Sequence, residues 1–194
     1  MKNVKSLMLL CAVVILAMGV SVSSSGEDGH SYVGVKKCKP CHLKQFKSWA
    51  ETKMAKSFDL LKPGERAEQK TAAGLDPAKD YTTDAECVRC HSTGYGQPGG
   101  FVDFASTPQL AGVTCEMCHG AGGTYTKPAH MSLKNKEYKK ADLVAVGLVG
   151  EITLEVCSGC HNTESPFVGD DYVFDFEAKK ETGTHKKYPL KYKH

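Results

Sequence analysis

Cys38-Lys39-Pro40-Cys41-His42, Cys87-Val88-Arg89-Cys90-His91, Cys115-Glu116-Met117-Cys118-His119 and Cys157-Ser158-Gly159-Cys160-His161 decide how this chain is read. Each is C-x-x-C-H. Two thiols about one helical turn apart can add to the two vinyl groups on one edge of a haem, and the next residue, histidine, then lies under the ring and ligates its iron. Eight cysteines in an oxidising compartment could instead form disulfides, and C-x-x-C pairs also build zinc sites. Neither explains a histidine directly after every pair. With eight histidines in 194 residues, chance adjacency at all four pairs is on the order of one in several hundred thousand. The cofactors expected are therefore four covalently bound haem c groups. Cys38, Cys41, Cys87, Cys90, Cys115, Cys118, Cys157 and Cys160 form the thioethers, and His42, His91, His119 and His161 are the proximal ligands.

The ninth cysteine, Cys11, lies in an apolar run from Leu7 to Val22. Met1, Lys2 and Lys5 precede it and a small polar stretch, Ser23 to Asp28, follows. That is the layout of a secretory signal peptide. The run is somewhat shorter than the roughly 17–25 residues that span a bilayer. The expected organisation is a signal peptide at 1–25 and a single tetrahaem domain at 26–194, exported to the periplasm with no retained membrane span. Loss of Lys2 and Lys5 lowers the formal charge from +3 to +1. With only two arginines, Arg66 and Arg89, and lysines dispersed along the chain, nucleic acid is not an expected partner. Lysines mixed with haem carboxylates suit brief, salt-sensitive docking with redox proteins.

The motif starts are 49, 28 and 42 residues apart, so there is no regular repeat. About 42 residues per haem are too few to wrap each cofactor separately, so the haems must pack together as the core. The fold class expected is mainly α with extensive irregular loops. Apolar spacing predicts helix over 41–61, and Pro63 to Ala73 reads as a short helix stopped by Gly74. Helix is also expected over 131–147, around the fourth motif, and over 177–185. Residues 92–100 and 120–123 read as glycine-rich loops, and 172–176 alternates like a short strand.

Beyond the motifs, the chain resembles the cytochrome c-554 family, tetrahaem electron acceptors of hydroxylamine oxidoreductase in ammonia oxidisers. Lys47-Ser48-Trp49, Leu75 to Tyr81, Gly94-Tyr95-Gly96-Gln97 and Cys115 to Gly120 carry the resemblance. It implies a monomeric, mostly helical periplasmic carrier with haems in stacked pairs, three of them six-coordinate and the one on His91 open. It also implies distal ligands: His130 for the His42 haem, His185 for the His161 haem and, where the family has a histidine, Met54 for the His119 haem. A thioether there would raise that haem's potential. His30 and His194 are left as tail histidines.

The function expected is electron carriage between a multihaem or dehydrogenase donor and a downstream cytochrome. The alternatives are nitric oxide or nitrite reduction at the His91 haem, or a filament joined by a tail histidine.

Overall fold

The computed structural model describes residues 30–190 and 192. The expected signal peptide, Cys11 and His194 lie outside them. Among the described residues there are eight short helices: α1 (Val35–Cys38), α2 (Leu43–Ala50), α3 (Ala67–Ala72), α4 (Ala85–His91), α5 (Cys115–His119), α6 (Lys140–Val144), α7 (Leu154–Ser158) and α8 (Phe176–Lys179). Two 3₁₀ turns, Ser57–Leu61 and Pro108–Leu110, are added to them. Among the described residues there is no strand, only one isolated bridge between Ser92 and Ala111. The strand expected at 172–176 does not form, because no second extended segment lies alongside it.

The long helical expectations shrink for a related reason. The apolar positions over 41–61 are real, but only 43–50 is α-helix; a run of turns follows, and the 3₁₀ turn carries Phe58 and Leu61 inward. The expected helices at 131–147 and 177–185 reduce to α6 and α8. Helices of one or two turns are marginal alone, so something other than helix propensity must hold them.

Apolar packing supplies part of that. Phe58, Leu61, Tyr81, Val88, Phe101 and Leu110 form one buried cluster, with Phe58 and Phe101 ring centroids 5.2 Å apart. Tyr125 and Leu143 are the other buried apolar side chains described. The cluster lies around α4 and the Ser57–Leu61 turn, so it positions the second motif. Asp84 caps α4 by accepting from the Glu86 amide, which satisfies one of the helix's unpaired N–H groups.

Polar fastening supplies the rest. Residues 110–114 act as a beam between the motifs. Leu110 O accepts from Thr93 N (2.9 Å), Gly112 N donates to His91 O (3.0 Å) and Val113 N donates to Met54 O (3.1 Å). Trp49 Nε1 donates to Val113 O at 2.9 Å. Buried Thr93 Oγ1 donates to Gly112 O (2.8 Å) and accepts from Thr114 N (2.8 Å). The beam runs directly into Cys115, so the first three motifs share one hydrogen-bonded frame.

The second fastener is Glu116, which sits inside the third motif and is only 1% exposed. Its carboxylate accepts from Val33 N (2.9 Å), Gly34 N (2.7 Å) and Gly122 N (2.7 Å). It thereby clamps the segment before the first motif onto the loop after the third. That segment also crosses Gly94, where a Cβ would lie 2.5 Å from the Tyr32 ring; at φ +71° the backbone itself favours glycine. Gly94, Gly99 and Gly123 of the expected loops thus serve close approach of the Ser31-Tyr32 segment.

Removing the carboxylate in Glu116→Ala leaves three amides without their acceptor, a cost of about 3 kcal/mol or more. The expected result is a lower unfolding midpoint for the haem-loaded protein, with hydrogen exchange accelerated first at Val33, Gly34 and Gly122. Unchanged protection at those amides would contradict the clamp.

Candidate haem centres

Each motif is a single turn ending on its histidine. His42 N donates to Cys38 O at 3.0 Å and His161 N to Cys157 O at 2.9 Å, while α4 and α5 end on His91 and His119. An α-turn puts residues i, i+3 and i+4 on one face, so both thiols and the imidazole of each motif face the same way.

All eight motif cysteines are free thiols, Cys41 exposed and the others partly covered. Among the described residues no three His, Cys, Asp or Glu side chains converge into a cage for a bare ion. The thiols meet across motifs instead. Cys38 hydrogen-bonds with Cys115; this contact foremost, with burial second, pushes the Cys38 thiol up, and the same contact draws Cys115 down against the effect of burial. Cys90 hydrogen-bonds with Cys160; Cys90 falls to about 7 and Cys160 rises, the shared contact being the leading cause for both. Burial, then the neighbouring Cys157, pushes Cys118 up to about 11. The first motif is therefore paired with the third and the second with the fourth, and the third and fourth also adjoin.

The histidines are prepared as neutral ligands. His91 Nδ1 lies 2.7 Å from Ser57 O. A carbonyl only accepts, so Nδ1 carries the proton and Nε2 keeps its lone pair for a metal. Burial lowers the pKa of His42, His119 and His161, with nearby His185 as a further cause at His42 and at His119. The face of the His161 ring is covered by Phe174, with centroids 4.5 Å apart and planes 17° apart. The two buried side-chain polar atoms without a partner among the described residues, Arg89 Nε and Thr114 Oγ1, each stand next to a motif cysteine. Helical turns, free thiols and the pre-set His91 tautomer all fit haem c.

The distal candidates divide. The His185 ring stands 6.2 Å from the His119 ring, centroid to centroid, a separation that admits one metal with bonds of about 2 Å to each. The resemblance had assigned it to His161, whose ring is instead stacked with Phe174. Lys186 N donates to Ser48 Oγ at 2.8 Å, which ties the His185 segment to α2. Met54 is half-buried in the turn after α2, and its carbonyl accepts from Ser57 N and Val113 N. His130 is half-buried, with its own carbonyl held by Asn135 Nδ2 at 3.1 Å. His30 is not a loose tail residue: its Nδ1 hydrogen-bonds with Thr124 Oγ1 at 3.1 Å. Its ring also packs on Gly147, where a Cβ would come within 2.7 Å.

Sequence reasoning missed three supports. Ser57 orients His91 through its backbone carbonyl, which carries no side-chain signal. Phe174 was read as part of a strand. Arg89 pairs with Glu164, joining the second motif to the loop after the fourth; as part of a motif, Arg89 was the one of the three open to notice.

The family model described as cytochrome c554 and c-prime matches residues 37–120. Cytochrome c-554 of Nitrosomonas europaea is 36% identical over 207 aligned positions, which cover 95% of this chain and 88% of that protein. The reduced-state structure of cytochrome c554 from the same organism is similar with a TM-score of 0.75 at 37% identity, over 84% of this chain and 88% of that one.

Because each motif provides its own pair of thiols, replacing both Cys87 and Cys90 by Ala removes one attachment site and leaves three. Mass spectrometry of the denatured chain is expected to show three haem masses in place of four; a fourth retained would contradict independent attachment.

Proposed function

The chain belongs to the cytochrome c-554 family, and from that premise we propose that it is a periplasmic, monomeric carrier passing electrons from a multihaem or dehydrogenase donor to a downstream cytochrome. It is a c-type cytochrome with covalently attached haem c. Bound haem supplies an iron that gains or loses one electron without bond making elsewhere.

Everything else is the work of the chain. Ser57 O fixes the tautomer of His91. Phe174 fixes the plane of His161. The beam of residues 110–114 and the Glu116 clamp hold the motifs at constant spacing. Rigid ligands of this kind lower the rearrangement that accompanies a change of charge, which is what a carrier needs. The observation that bears most weight is the pairing of motif thiols, first with third and second with fourth, because it implies cofactors in contact rather than isolated sites.

The proposed ligand set is His42, His91, His119 and His161 proximally, with His130, His185 and Met54 on distal sides. The His91 centre is left as the open one. An enzymatic role there would need proton donors; Arg89 is engaged with Glu164 and Glu86, which favours carriage over reduction of a small molecule.

Absorption and electron paramagnetic resonance spectra of the ferric protein test the set. One high-spin signal is expected in the wild type and a second in His185→Ala, and a far-red methionine charge-transfer band should vanish in Met54→Ala. Four low-spin bis-histidine centres in the wild type would contradict both the open site and methionine ligation.

A further inference from the structure

Charge is unevenly shared among the motifs. Lys36, Lys37, Lys39, Lys44 and Lys47 surround the first, and no carboxylate occurs from residue 30 to 50. All five are exposed, and among the described residues none is held in an ion pair; Lys39 Nζ lies over the Phe46 ring at 4.9 Å. The segment tied to Ser48 adds exposed Lys186. At the fourth motif the balance is reversed, with eight carboxylates against two lysines from residue 151 to 181; Glu164, Glu177 and Glu181 are held by Arg89, Lys180 and Lys187, which leaves five carboxylates outside ion pairs.

Access follows the same polarity. Cys41 is the one exposed motif cysteine of the eight, and its neighbour Leu43 is 45% exposed. The segment of the first motif therefore lies at the surface of the chain, with an exposed apolar residue beside it and unpaired lysines around it. An apolar centre with a charged rim is the form of a brief protein contact, in which the rim sets encounter rate and orientation.

We infer that the first-motif end, formed by α1 and α2, is the docking face for an acidic redox protein, and that the acidic fourth-motif end turns the same partner away. The inference rests on the carrier reading and adds where exchange takes place. The step at this face moves one electron between the partner's redox group and the first centre; one is oxidised as the other is reduced, and no atom or proton is transferred. Lysines left without acidic partners favour this reading, because pairing within the chain would cancel their field.

The test uses the reduced, fully haem-loaded protein and two oxidants of opposite charge, ferricyanide and tris(phenanthroline)cobalt(III), in stopped flow. With Lys44→Glu/Lys47→Glu, oxidation by ferricyanide at low ionic strength is expected to slow about tenfold, and oxidation by the cobalt complex to speed up. Both effects should fade towards about 0.3 M salt. Lys62→Glu/Lys79→Glu makes the same change of net charge away from this face and is expected to alter either rate less than twofold. Should the first variant fail to take up four haems, Lys44→Gln/Lys47→Gln replaces it, with a smaller shift in the same direction. Equal slowing in the two double variants would overturn the docking face. So would lysine-dependent co-sedimentation with phosphatidylglycerol vesicles, which would reassign the face to a membrane. Failure of both oxidants to react with the reduced wild type would overturn the carrier reading itself, and the docking face with it.

Discussion

A shortage of buried apolar side chains governs this structure. Among the described residues six form one cluster and two more are buried apart from it, while most of the helices are a turn or two long. Fixing each residue's backbone costs on the order of 1 kcal/mol or more, and so small a core cannot offset that over a chain of this length. The cofactors must complete it. This is why the motifs are paired across the fold, and why the chain invests in polar fasteners that hold backbone segments where helix packing is thin.

The two fasteners do different things. The 110–114 beam fixes distances between motifs through backbone bonds and the Trp49 indole. Glu116 instead clamps the entering segment, using a carboxylate buried among amide donors; hydrogen bonds to a charged acceptor are stronger than neutral ones. Its place inside the third motif couples that motif's position to the clamp. Arg89 has a similar double role at the second motif, although its pair with Glu164 is partly exposed and adds orientation more than stability.

The sequence made the chemistry legible and the backbone much less so. The four C-x-x-C-H turns and the mainly α, loop-rich class could be read directly, because the attachment reaction dictates both residue type and spacing. The helix over 41–61 could not be delimited: Leu43, Phe46, Phe58 and Leu61 keep helical spacing, yet the turn at Met54 gives its carbonyl to Val113, far along the chain. The alternation at 172–176 reflected the stacking of Phe174 on a histidine, and no ladder. His30 looked like a tail residue because its anchors, Thr124 and Gly147, lie roughly a hundred residues away in sequence. The dispersed lysines likewise became a localised basic end only once α1, α2 and the 186 segment were seen together.

The most direct test is to compare cooperative unfolding of the haem-loaded chain with that of the same chain expressed without haem attachment, by circular dichroism and hydrogen exchange. If bound haem completes the core, the loaded protein melts in one sharp transition, and the bare chain shows little helix and no protected amides along 110–114. A bare chain that unfolded cooperatively, with that beam protected, would mean that the polypeptide holds its fold alone and would contradict the account.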